Sequence, residues 1–306
     1  MKKKGIVIIL FLVAVFTVNA QSIVDLQSYM MAVRTGTTQP LPASVLADTQ
    51  NIEKILQALQ PYYADSLPTV RAKAYNITAR LGQKTQQPGT RQLVVTQLIN
   101  AITDKDTGIG GNASDALAEF VTEDFNASHK AKIVALLTQQ ISHKDQLVKV
   151  AGYLNLREAQ PTLKQLVQPG NDRKARWAAY LALARMGEQK ELQYVVKTIA
   201  AMPLNDDVVY EMVPDLIYTR QKPAFDYLFT IINSDKASCT SADPDANDNI
   251  LCGYRTMEYI APYIKNFPLP VEEGELVVDD YEQALKEVRA WYVQHPDDYE
   301  IDNEGF

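Results

Sequence analysis

From residue 51 onward the apolar positions recur at helical rather than strand spacing. Ile52, Ile55, Leu56 and Leu59 mark one amphipathic stripe, broken at Pro61. Val70, Ala74, Ile77 and Leu81 fall at i, i+4, i+7 and i+11, which puts four apolar groups on one face of a helix. Leu93 to Ile102 is apolar on two faces, as expected of a helix between neighbours. Further stripes run through Ala116, Leu117, Phe120 and Val121, through Ile133, Leu136, Leu137 and Ile141, and through Leu147, Ala151 and Leu154. Leu163 to Val167 ends at Pro169-Gly170, and Leu192 to Ala200 follows a second long stripe at Ala175, Ala179, Ala182 and Met186. Val208 to Ile217 predicts a buried helix kinked at Pro214. Phe225 to Ile232, Met257 to Ile264 and Tyr281 to Tyr292 predict three more. The pattern predicts about a dozen helices, and no period-two run calls for a strand.

Two of these helices are copies. Arg71-Ala72-Lys73-Ala74-Tyr75-Asn76-Ile77-Thr78-Ala79-Arg80-Leu81-Gly82 matches Arg176-Trp177-Ala178-Ala179-Tyr180-Leu181-Ala182-Leu183-Ala184-Arg185-Met186-Gly187 at Arg, Ala, Tyr, Ala, Arg and Gly. Internal repetition of this kind marks a repeat architecture. Alanines in both stripes allow close helix approach. Gly82 and Gly187 stand where a left-handed C-terminal cap suits glycine. Asp172 is placed to cap the second copy, and Pro68 to open the first.

Pro68-x-Val70-Arg71-x-x-Ala74 and Asp172-x-x-Ala175-Arg176-x-x-Ala179 resemble the second helix of HEAT repeats, in particular the bacterial variety grouped with phycobilisome lyase-type repeats. The resemblance is carried by these two sites and extends by period over residues 50–265. It implies an all-α fold, an α-solenoid of stacked antiparallel helix pairs wound as a HEAT-like superhelix. In such stacks an Arg at the position of Arg71 and Arg176 pairs with an acid of the adjoining repeat, or else faces a ligand on the concave surface. Tyr75 and Tyr180, four residues on, are the more exposed binding candidates. These motifs specify a fold and not an activity.

The N-terminus reads as a leader. Lys2, Lys3 and Lys4 precede an apolar run from Ile6 to Phe16, and Val18-Asn19-Ala20 places small residues for cleavage before Gln21. The run is too short to span a bilayer, which needs about 20 residues. No Cys follows Ala20, so a lipoprotein anchor is excluded there. Export to the periplasm or beyond is the expectation. The expected organisation is a signal peptide over 1–20, an N-terminal cap or lead-in over 21–50, the solenoid over 51–294 and an acidic tail over 295–306. The tail carries Asp297, Asp298, Glu300, Asp302 and Glu304 without a Lys or Arg, and is expected to be a solvated end.

Charge narrows the partners. The net charge is −7, and loss of the three leader lysines takes it to −10. An acidic exported chain lacks the basic face that nucleic acid requires. No second apolar run reaches membrane length. Sixteen Tyr against eight Phe is a surplus of amphipathic aromatics suited to binding surfaces or to packing edges.

Few residues suggest chemistry. Cys239 and Cys252 are the only cysteines and flank a polar loop, so an exported chain predicts a disulfide. Asp243-x-Asp245-x-Asn247 within that loop starts like a Ca²⁺ loop, but Asp248 stands where Gly is needed and Tyr254 where a bidentate Glu is needed. Gly108, Gly110 and Gly111 read as an interhelix turn rather than an anion cradle. The histidines at 129, 143 and 295 show no metal or triad spacing, and no G-x-S-x-G elbow occurs. No catalytic residue, metal or cofactor is expected. The leading expectation is an exported, non-enzymatic binding scaffold presenting a concave helical surface to a protein or peptide partner. The alternatives are an enzyme or accessory factor related to lyase-type HEAT proteins, and a structural envelope protein. The disulfide-pinned loop is expected to protrude and to touch the partner.

Overall fold

The computed structural model describes residues 21–241 and 248–306, and it is 65% helical with fifteen helices. The leader and the Asp243, Asp245 and Asn247 candidates lie outside the described residues. The described residues fall into two compact units, divided between Leu147 and Val148.

The first unit begins with α1 over 21–34 and α2 over Ala43–Ala47. Then follow α3 (Ile52–Tyr63), α4 (Pro68–Lys84), α5 (Pro88–Ala101), α6 (Thr107–Leu117) and α7 (Ala127–Leu137). Along α3 to α6 each helix packs on the next in sequence, and α3 packs on α5, α4 on α6 and α5 on α7, so alternate helices share a layer. The division between units falls within α8 (Lys144–Tyr153).

The α4 and α5 helices open alike. Each has proline in its first turn, where the missing N–H costs nothing, and each carries Arg as its fourth residue. Arg71 donates from Nε and Nη2 to Asp104 at 2.8 and 2.7 Å, and from Nη1 to the Asp65 carbonyl at 2.8 Å. Arg91 grips Asp124 in the same manner, with Nη1 on the Gly82 carbonyl at 3.1 Å. Asp104 and Asp124 each lie three residues before the next helix of the same layer, α6 and α7. Arg34 of α1 pairs likewise with Asp65, three residues before α4. This ladder of forked, charge-assisted bonds ties each layer together. Arg71 is buried and committed to it.

The glycine run does not form the predicted turn. Asp106 accepts from the Gly108 and Ile109 amides and starts α6 inside the run. A Cβ on Gly110 would come within 2.8 Å of the Ile102 carbonyl oxygen, so the glycines serve close packing. Gly82 is also not a cap. It lies within α4, where a Cβ would meet Phe120 Cζ at 2.7 Å.

The second unit contains α9 (Gln160–Leu166), α10 (Arg173–Arg185), α11 (Gln189–Ala200), α12 (Val213–Tyr218), α13 (Lys222–Ile232), α14 (Gly253–Ile260) and α15 (Tyr281–Gln294). Asp172 caps α10 by accepting from the Ala175 amide. Gly187 ends it at φ +90°, with the Gly187 and Glu188 amides bonded to the Ala184 and Leu183 carbonyls. The helix predicted over Val208 to Ile217 divides instead. A π-helical turn, Val208–Met212, precedes α12, and Pro214 occupies the first turn of α12, where no amide is required.

Strands do occur, as two short hairpins: β1 (Ala237–Thr240) with β2 (Asn249–Leu251), and β3 (Val271–Glu272) with β4 (Glu275–Leu276). Runs of two to four residues are too short to show a period. Cys239 and Cys252 are disulfide-bonded, with Cα atoms 5.1 Å apart. Both are buried in the core with Phe229, Met257 and Leu285. The tail is likewise not a solvated end. Tyr299 is buried, Ile301 bridges to Ile264, and the Asp302 amide bonds the Tyr263 carbonyl at 2.8 Å. Aromatic side chains between the acids hold it down.

No helix among the described residues is long and apolar enough to cross a membrane.

Candidate functional site

The second unit carries an open groove of about 610 Å³ on the face where α10 packs between α9 and α11. Its wall includes Arg176 and Tyr180 of α10, Lys190, Glu191 and Tyr194 of α11, and Lys164 of α9. Two sequence candidates, Arg176 and Tyr180, therefore meet at one place.

Arg176 is the fourth residue of α10, the position that Arg71 holds in α4. Yet among the described residues the Arg176 side chain has no ion pair and no hydrogen bond. Of the two acids in the loop after α11, Asp206 is taken by Arg255 at 2.7 Å and by the Thr240 amide at 2.9 Å. The half-buried guanidinium of Arg176 is left to face the groove.

Tyr180 stacks on Tyr194, with centroids 4.1 Å apart and planes 23° from parallel. Burial, then the neighbouring Tyr194, pushes the Tyr180 phenol above its usual range, so it stays a donor at neutral pH. Glu191 is 8% exposed, its carboxylate makes no hydrogen bond or ion pair among the described residues, and it lines the groove. It lies in the first turn of α11, where the helix dipole favours a carboxylate. Lys164 is engaged with Glu188 at 2.9 Å, while Lys190 is exposed. The sequence offered no sign of Glu191 or Lys190, because α11 carries no copy of the repeat signature.

The arrangement is mixed in charge. Arg176 and Lys190 present a cationic side, Glu191 an acceptor, and the tyrosine pair a flat apolar shelf. A fork such as Arg176 binds carboxylate or phosphate in two bonds.

Tyr75 lines a smaller cavity of the first unit, about 270 Å³, with Asn76, Leu98, Ile109 and Asn112. It stacks on Tyr63 at 4.8 Å. No Asp, Glu, Lys or Arg lines that cavity. Structure thus separates the four sequence candidates: Arg176 and Tyr180 share a charged groove, Tyr75 a neutral one, and Arg71 belongs to the ion-pair ladder.

His129 is also structural. Its ring takes the Asn126 amide on Nδ1 and lies 2.7 Å from Thr96 Oγ1 through Nε2. Among the described residues no group of three or more His, Cys, Asp or Glu is placed to hold a metal.

No protein-family model matches the chain, and no curated protein matches it by sequence. Among solved structures it is similar to the complex of CpcE and CpcF of phycocyanin lyase from Nostoc sp. PCC7120. The TM-score is 0.51 and the identity 12%, over 89% of this chain and 94% of that one. This corrects the leading functional expectation. A neighbour that is a subunit pair of an enzyme favours the lyase-related alternative over a non-enzymatic scaffold, at a distance that carries the fold alone. The chain is built as a HEAT-like α-solenoid of stacked helix pairs, the fold it shares with that lyase.

Proposed function

We propose that this protein is an enzyme or accessory factor related to lyase-type HEAT proteins, acting with a protein partner, and that the Arg176 groove receives its ligand. One observation carries this reading: Arg176, Tyr180 and Glu191 converge on one cavity while none of the three is paired off by a salt bridge. Cavities with a few convergent polar groups on an apolar shelf are the usual form of a ligand site. A fitting ligand has an anionic group for Arg176 and Lys190, a flat body for Tyr180–Tyr194, and an N–H or O–H directed to Glu191. Glu191 is the group that would accept a proton there, and Tyr180 the one that would donate. The partner is inferred from the neighbour, which is itself a two-protein complex. We place the protein in an exported compartment. The buried Cys239–Cys252 bridge supports that placement, since such bonds persist under oxidising conditions.

The test is native mass spectrometry of the protein isolated from its source, as wild type, Arg176→Gln and Glu191→Gln. A bound small molecule or turnover in partner-containing extract, lost in both variants, is the expected result. Equal occupancy and turnover in all three would remove the groove from the function.

A further inference from the structure

The Arg176 groove holds two opposite charges that do not meet. Arg176, the fourth residue of α10, and Glu191, the third of α11, line the same wall. Among the described residues neither side chain has an ion pair or a hydrogen bond. Both act on the Tyr180 phenol: after burial and Tyr194, which raise it, Arg176 lowers it and Glu191 raises it. An arginine and a carboxylate that share a cavity ordinarily close into a charge-assisted pair, the strong form of hydrogen bond. Here each is rooted on its own helix and left open.

Glu191 is the sharper observation. It is 8% exposed, and acids are almost never so little exposed unless paired. The α11 dipole favours its ionised form, yet no described group donates to its oxygens. The lysines of the wall do not answer it. Lys164 is joined to Glu188 at 2.9 Å, and the exposed Lys190 makes no ion pair among the described residues.

A ligand with one charge suits half of this wall. An anion satisfies Arg176 and brings a like charge toward Glu191. A cation satisfies Glu191 and brings a like charge toward Arg176. A ligand with both charges meets both, and the same wall penalises analogues that lack either. The tyrosines set the rest of its shape. Tyr194 is 47% exposed, so the stacked pair keeps an open face for a planar group. The volume, about 610 Å³, is that of a small-molecule site.

We propose that the Arg176 groove selects a small zwitterion with a flat ring, the chemistry of an aromatic α-amino acid. Its carboxylate takes the Arg176 fork, its ammonium donates to Glu191, and its ring lies on Tyr180 and Tyr194. This rests on the groove being the ligand site, and adds the cationic group that Glu191 calls for.

The test is calorimetric titration of the full chain with L-tryptophan, with indole-3-propionate, which lacks the ammonium, and with tryptamine, which lacks the carboxylate. L-Tryptophan is expected to bind about tenfold or more tighter than either analogue, since each comparison removes one charge-assisted bond. Glu191→Gln is expected to abolish the advantage over indole-3-propionate and to keep that over tryptamine. Arg176→Gln should do the reverse. Indole-3-propionate binding as tightly as tryptophan, and losing that binding in Arg176→Gln, overturns the zwitterion and leaves the groove as an anion site. Advantages that survive both substitutions overturn it as well, by placing the binding elsewhere. Failure of all three probes removes this ligand class, while the groove itself is judged separately by native mass spectrometry. The wild-type comparison needs no variant, so it remains decisive if a substitution impairs folding.

Discussion

The α4 and α10 helices share a sequence signature and differ in what became of it. In α4 the fourth-position arginine is buried and clamped by Asp104. In α10 the same position is half-buried and faces a cavity, and Asp206 of the loop after α11 is held by Arg255 and Thr240. The later arginine diverges as well. Arg80 is exposed, whereas Arg185 is covered by the tail. The glycines differ too: Gly82 makes room for Phe120 inside its helix, and Gly187 ends its helix at φ +90°. One motif supplies a girder in the first unit and a ligand face in the second. The motif is common to both helices, and the pairing of its arginine is not.

Removing the acid should break the comparison most sharply. Asp104→Ala leaves Arg71 buried without its counter-charge and is expected to cost about 3–5 kcal/mol in urea unfolding. The cost should depend on pH. The Arg71 hydrogen bonds hold the Asp104 carboxyl below its usual range. A lowered folded value contributes stability that is full above the unfolded value, about 3.9, and is lost as pH falls through the folded one. The gap between wild type and Asp104→Ala should therefore close in acid. A gap independent of pH would remove the ion pair as its cause.

The second unit is closed in another way, by its disulfide. Cys239→Ser with Cys252→Ser should lower stability by about 2–3 kcal/mol on the chain-entropy account. Both sulfurs lie in the core, so the melting temperature is expected to fall along with any loss of partner binding. Binding loss at an unchanged melting temperature would restore the loop as a contact element only.

The glycines sharpen the contrast through one substitution with two causes. Gly82→Ala is expected to cost about 1–3 kcal/mol by overpacking, and Gly82→Asn more. Gly187→Ala should cost about 1 kcal/mol through its left-handed backbone, and Gly187→Asn less, since Asn tolerates that region. Equal ranking of Ala and Asn at both positions would mean one shared cause. Smallest of all, Arg176→Ala should change stability by under about 0.5 kcal/mol, as for a surface residue without partners. A larger loss would show that the groove arginine supports the fold after all.

Much of the fold was legible because helical periodicity and proline or glycine punctuation are local. The α10 cap at Asp172 and its stop at Gly187 followed from single residues in the right places. The ladder was half legible: Pro68-x-x-Arg71 recurs as Pro88-x-x-Arg91. Its acids lie 33 residues onward, a span that means contact only when alternate helices share a layer. At the groove, Arg176 and Tyr180 were visible through the repeat, while Glu191 was one more acid on an exposed-looking helix until its burial was known. The tail misled because its charge was counted and its Tyr299 and Phe306 were not.

The sequence by itself determined the helices, the repeated signature and the disulfide pair, all of which depend on neighbours along the chain. Tertiary structure alone decided which arginine is paired, which acid is sheltered and where the tail lies. Those outcomes turn on which distant groups the packing brings together, as Arg71 with Asp104 and Asp206 with Arg255 show.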